Sequence, residues 1–119
     1  MIGVMSKITI WHHTSCGSSR GALEYLKSKG LEPEIYLYIK EKPGRTELES
    51  ILKQLNMKPS ELLRPGEKKG EELGLYEGAS EEAILQAMSE HPILIQRPIV
   101  ITEKGAVLAR PKNKIDAIL

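Results

Sequence analysis

Apolar positions along this chain change period twice. Near the N-terminus Ile8, Thr9 and Ile10 form a β-branched run that reads as a short buried strand. The polar stretch 12–17 then reads as a loop, and Ala22, Leu23 and Leu26 recur at helical spacing within 18–29. Thr14, Ser18 and Ser19 are the candidate caps for that helix, and Gly30 is its stop. Residues 34–39 (EIYLYI) read as a second strand with aromatic and aliphatic side chains on opposite faces. A strand–helix–strand unit of this length predicts a parallel pair with a right-handed crossover.

After a turn at 41–44 the period becomes helical. Leu48, Ile51, Leu52 and Leu55 follow the i, i+3, i+4, i+7 spacing of an amphipathic helix. Pro59-Ser60 opens a short helical piece with Leu62 and Leu63, broken by Arg64-Pro65-Gly66, and the charged run 67–72 reads as a solvated face or loose loop. Ser80-Glu81-Glu82 followed by Ile84, Leu85 and Met88 predicts a third main helix ending at His91-Pro92. The last third returns to period two: 99–101 and 106–109 read as a hairpin joined by 102–105. Ile115, Ile118 and Leu119 suggest a closing helix. The order β-α-β, helical block, β-β-α fits a thioredoxin-like α/β sandwich, a mixed four-stranded sheet with a helical insertion after the second strand. The length of 119 residues supports a single domain over 1–119.

Composition narrows the functional classes. The net charge is +1 and no basic stripe is present, so nucleic acid is not an expected partner. Four of the five aromatic residues are Tyr, too few for a base-stacking platform. No run approaches the ~20 apolar residues of a membrane span, and the opening MIGVMSK lacks the apolar core of a signal peptide. A cytoplasmic location is expected. The single cysteine forms no internal disulfide and suits a reducing compartment, so any disulfide made in turnover joins a second molecule.

That cysteine, Cys16, falls in the order strand, tight loop, helix start. The positive end of a helix, with its unsatisfied N–H groups, lowers a thiol pKa and cradles an oxyanion. The competing reading is a buried structural cysteine, but two histidines before it and Gly-Ser-Ser-Arg after it are too polar for a core position. Cys16 reads as a nucleophile.

The arginines point the same way. Three of the five stand directly before proline: Arg64, Arg97 and Arg110. A residue before proline is held in extended geometry, which fixes where its side chain projects. A guanidinium offers a planar, permanently charged fork suited to tetrahedral oxyanions, although each arginine is equally compatible with a solvated surface position. Together they suggest a thiolate facing an anion held by several guanidiniums. Two other arrangements are weaker. A metal site from His12, His13 and Cys16 is disfavoured because neighbouring residues of an extended segment face opposite ways. His91, before Pro92 at a helix end, reads as a packing or end-charge residue.

From Ile8 to Leu119 the chain resembles the glutaredoxin-coupled arsenate reductases, in a short form that stops at Leu119 without a C-terminal extension. The resemblance rests on His12-x3-Cys16-Gly-Ser-Ser-Arg20, Glu61-Leu-Leu-Arg64, the run from His91 to Val100 that carries Arg97-Pro98, and Ala109-Arg110-Pro111. It implies that Cys16 attacks arsenic to form a thioarsenate, and that Arg64, Arg97 and Arg110 bind the arsenate oxygens and stabilise the thiolate. It further implies that His12 tunes the cysteine, and that Ser19 and Arg20 support the loop. No bound cofactor or metal is implied; glutathione and glutaredoxin are the reductants and partners. By analogy with thioredoxin-like folds, a cis Arg97–Pro98 bond is expected opposite the cysteine. The phosphatase-like arsenate reductases are excluded, because Cys-x5-Arg is required there and the sixth residue after Cys16 is Ala22. Two further readings stay open: a monothiol reductase of another substrate, and an Spx-like regulator that binds RNA polymerase. The latter usually carries Cys-x-x-Cys, where this chain has Ser19.

Overall fold

The β-branched and aliphatic runs form a mixed four-stranded sheet of order β2-β1-β3-β4. Its strands are β1 (Thr9–Trp11), β2 (Glu34–Tyr36), β3 (Ile99–Thr102) and β4 (Gly105–Leu108). β1 pairs in parallel with β2 and antiparallel with β3, which pairs antiparallel with β4. The computed structural model describes residues 7–119, so the reading of 1–6 as free of a leader lies outside the described residues.

Two compact units result: 7–37 with Arg97–Leu119, and Tyr38–Gln96. In the first, helix α1 (Gly17–Ser28) and a 3₁₀ segment, Lys112–Ile118, lie against the sheet. One apolar cluster unites them: Ile8 just before β1, Ile10 from β1, Val100 from β3, Ala22 and Leu26 from α1, with Ala109, Ile115 and Ile118. Ile10 and Val100 are register partners, so the sheet presents both to the same cover. The closing helix expected from Ile115 and Ile118 is therefore present, in the tighter 3₁₀ form.

The second unit is helical: α2 (Tyr38–Glu41), α3 (Arg45–Leu55), α4 (Pro59–Leu62), α5 (Lys68–Glu72) and α6 (Glu81–Glu90), then a 3₁₀ turn at Pro92–Leu94. Leu48, Ile51 and Leu52 of α3 are buried with Leu62, Ile84, Leu85 and Met88. Ser80 caps α6 by accepting the Ala83 N–H at 3.1 Å. Glu81 reaches back to Ser60, accepting from its N–H and its hydroxyl at 2.8 Å each. Leu63 and Ile95 form a β-bridge, flanked by Arg64 N–H to the Leu94 carbonyl at 2.7 Å and Gln96 N–H to the Leu62 carbonyl at 3.0 Å.

Four local expectations are corrected. The second strand ends at Tyr36 rather than residue 39, because Tyr38 is buried within the helical unit and its hydroxyl donates to the Ile95 carbonyl at 3.2 Å. Tertiary burial overrides β propensity there. The run 67–72 contains the short helix α5, whose Gly70 is buried. The hairpin turn is only Glu103-Lys104, since Thr102 pairs with Gly105. The Thr102 hydroxyl braces that turn, accepting the Lys104 N–H at 3.0 Å and donating to the Ile118 carbonyl at 2.7 Å. Finally, α1 is capped by Cys16 and by none of Thr14, Ser18 or Ser19.

Ile115 is fully buried between α1 and the sheet. Ile115→Ala is expected to lower the unfolding free energy by about 2–4 kcal/mol in denaturant titration. A change near 0.5 kcal/mol, typical of surface positions, would show that the C-terminal segment is not part of the core.

Candidate active site

Strand register brings the segments that carry Cys16, Arg97 and Arg110 to one end of the sheet. Trp11, Ile99 and Leu108 form one row across β1, β3 and β4. Beyond that row β1 runs on into His12–Cys16, β3 is preceded by Arg97-Pro98, and β4 is followed by Ala109-Arg110. The Ala109 N–H donates to the Pro98 carbonyl at 2.9 Å, which ties the two arginine-bearing segments side by side. Both the Arg97–Pro98 and Arg110–Pro111 peptide bonds are cis; the first was expected, the second was not.

Cys16 is the N-cap of α1, in extended conformation (φ −97°, ψ 122°), and is partly buried. Its N–H donates to the His13 carbonyl and its carbonyl accepts from the Arg20 N–H, both at 3.0 Å. The sulfur therefore faces the first N–H groups of the helix, which have no intrahelical acceptor. Burial pushes the thiol pKa up, but it is outweighed by the backbone N–H of Ser19, a hydrogen bond from the Arg97 guanidinium, the N–H of Ser18 and the charge of Arg97. The net effect holds the thiol below its ordinary range. Arg97 is itself only 5% exposed. A charge facing a thiolate at such a site is poorly screened and correspondingly strong.

His12 sits where β1 ends, its N–H donating to the Tyr36 carbonyl at 2.9 Å. Its Nδ1 lies 2.5 Å from the Ser19 hydroxyl, which also accepts the His13 N–H at 3.0 Å. Burial, and then the charge of Arg20, lower the imidazole pKa, so the ring favours its neutral form. The link from His12 toward the cysteine thus runs through Ser19, the residue whose N–H faces the sulfur. Arg20 closes the loop from outside, donating to the Thr14 carbonyl at 3.2 Å.

Arg110 lies on a cleft of about 430 Å³ that begins at the residue after Cys16, lined by Gly17, Ser18, Gly21, Arg110 and Lys112 among others. Two cations and no carboxylate line it. Lys112 was not singled out from the sequence, since nothing local separates it from the other lysines. Arg64 belongs to the helical unit, where its Nε pairs with Glu67 at 3.1 Å. Among the described residues no three His, Cys, Asp or Glu side chains gather as a metal set, and no helix is long and apolar enough to cross a membrane.

The thiolate is the form that alkylates. Cys16 is expected to react with iodoacetamide at a pH midpoint below that of a free cysteine. Arg97→Ala removes a cation that favours the charged form, so its midpoint moves upward and alkylation slows at mildly acidic pH. An unchanged midpoint would remove Arg97 from control of the thiol.

The chain is 42% identical over 116 residues to an arsenate reductase of Yersinia enterocolitica, covering 97% of this chain and 82% of that protein. It is 40% identical over 116 residues to an arsenate reductase of Escherichia coli, with the same coverage. The solved arsenate reductase of Vibrio cholerae superposes with a TM-score of 0.92 at 32% identity, over 98% of this chain and all of that one. The fold is thus the thioredoxin-like α/β arrangement of those structures. The ArsC family pattern matches residues 11–118, and with these relatives it shows that the chain belongs to the ArsC family.

Proposed function

We propose that this protein is an arsenate reductase in which Cys16 is the nucleophile and glutathione and glutaredoxin supply the two electrons. The observation that carries this reading is the Cys16 thiol at the α1 N-cap, lowered in pKa by helix N–H groups and the Arg97 guanidinium, in a chain 40% identical to an arsenate reductase. Residues 1–119 act as one catalytic domain in a reducing cytoplasm.

The reaction follows from the charge layout. Arsenate is a tetrahedral oxyanion, and Arg97, Arg110 and Arg64 hold its oxygens; planar guanidinium forks suit that geometry. The Cys16 thiolate attacks arsenic: a sulfur–arsenic bond forms, an arsenic–oxygen bond breaks, and the oxygen leaves as water once protonated. Glutathione adds to arsenic through its thiol, displacing a second oxygen as water. The glutaredoxin thiol then attacks the glutathione sulfur. A disulfide forms, the glutathione–arsenic bond breaks, and its electron pair stays on arsenic, which passes from arsenic(V) to arsenic(III). Water displaces Cys16, releasing arsenite and restoring the thiolate.

A single-cysteine chain suits this route, because the resolving thiols come from other molecules. Ser19 stands where a second cysteine would make an internal switch, and its hydroxyl is already engaged by His12 and His13. His12 holds the loop through Ser19, and its neutral ring adds no competing cation.

Purified protein with arsenate, glutathione and glutaredoxin is expected to release arsenite, and Cys16→Ser to release none. Arg97→Ala is expected to lose roughly 10²-fold in kcat/KM, the usual cost of one preorganised charge-stabilising donor. A wild-type protein that forms no arsenite while Cys16 still alkylates rapidly would overturn the substrate and leave the nucleophile.

A further inference from the structure

The helical unit contains a device built around Arg64. Residues 64–67 form a turn with Pro65 second and Gly66 third, the latter at φ +72°. That left-handed value at the third position, after proline, is the type II signature and favours glycine. A turn of this kind joins the carbonyl of its first residue to the N–H of its fourth, here Arg64 and Glu67. Tyr76 reaches the same two groups from outside the turn. Its hydroxyl donates to the Arg64 carbonyl and accepts the Glu67 N–H, the latter at 3.1 Å. The turn is closed a second time by its side chains, Arg64 Nε to a Glu67 carboxylate oxygen at 3.1 Å.

The approach of Tyr76 leaves a mark in the sequence. A Cβ added at Gly70 would stand 2.6 Å from the Tyr76 hydroxyl oxygen and 2.7 Å from two ring carbons. Among the glycines of the described residues, no other would meet an atom nearer than 4.0 Å. Gly70 is thus shaped to the ring rather than to its own backbone, which is helical.

The consequence for Arg64 is geometric. With Nε–H committed to Glu67, the guanidinium plane is set and the terminal Nη groups remain for another acceptor; the fork is rigid, so fixing one N–H orients the rest. We propose that Tyr76 is a positioning residue: through Glu67 and the Arg64 backbone it holds the Arg64 guanidinium in the orientation that binds the oxyanion, with Gly70 making room for the ring. The proposal rests on the assignment of Arg64 to arsenate made above.

Tyr76→Phe removes only the hydroxyl, and Gly70→Ala displaces the ring by a separate route. Each is expected to raise the arsenate KM about fivefold, the worth of one hydrogen bond, with kcat within twofold and the Cys16 alkylation profile unmoved. In an Arg64→Ala background neither change should raise KM further, since residues that act through one another are non-additive. The Arg64 Nε–H signal in NMR, slow to exchange in the wild type, should broaden or exchange faster in Tyr76→Phe. An equal rise in KM with and without Arg64, or an Nε–H signal unchanged in Tyr76→Phe, overturns the positioning role. If Arg64→Ala leaves the arsenate KM unchanged while Tyr76→Phe still frees the Nε–H, the device stands and the assignment of Arg64 to arsenate falls.

Discussion

Easier ionisation of the Cys16 thiol is the property on which the surrounding structure converges. A half-buried thiolate loses hydration, and burial by itself pushes the thiol pKa up. The opposing forces come from two places in the chain. The helix begins directly after the cysteine, so the Ser18 and Ser19 amides face the sulfur, and Arg97 arrives from the far end of the sequence to donate to it. Neither is free to drift. Ser19 is held by His12 and His13, and Arg97 stands at the foot of β3, whose next residues pair with both β1 and β4.

The same strand order explains why Cys16, Arg97 and Arg110 come from one end of the sheet. With β1 parallel to β2 and antiparallel to β3, the exit of β1 and the entry of β3 fall at the same end. The hairpin then returns Arg110 beside Arg97 through the Ala109–Pro98 hydrogen bond. The apolar cluster of Ile8, Ile10, Ala22, Leu26, Val100, Ile115 and Ile118 holds α1 and the C-terminal segment on that sheet. Burial of this cluster fixes where the α1 N-terminus points, so core packing and thiol chemistry are linked through one helix.

Much of this was legible in the chain because it is local. The phase of Leu48, Ile51 and Leu52, the Ser80 cap, the hairpin and the strand–loop–cysteine–helix order all follow from spacing over a few residues. Arg64, Arg97 and Arg110 stood out because each precedes proline. What was misread depends on distant partners. Tyr38 and Ile39 are strong strand formers, yet they join a helical turn because Tyr38 finds its burial beside Ile95. Three hydroxyl residues near the α1 start suggested a side-chain cap, but Ser19 spends its hydroxyl on His12 and leaves the cap position to Cys16. The Tyr76–Gly70 fit is equally hidden, since no local pattern says which ring lies against which glycine.

The most direct test of the central claim is the intact mass of the protein after incubation with arsenate and glutathione, with glutaredoxin left out. The reaction should stall with arsenic and one glutathione attached to the chain, the adduct mapping to Cys16 and disappearing when glutaredoxin is added. Arsenite formed under the complete conditions by a protein that never carries arsenic on Cys16 would contradict the account, because the thiolate would then not be the atom that attacks.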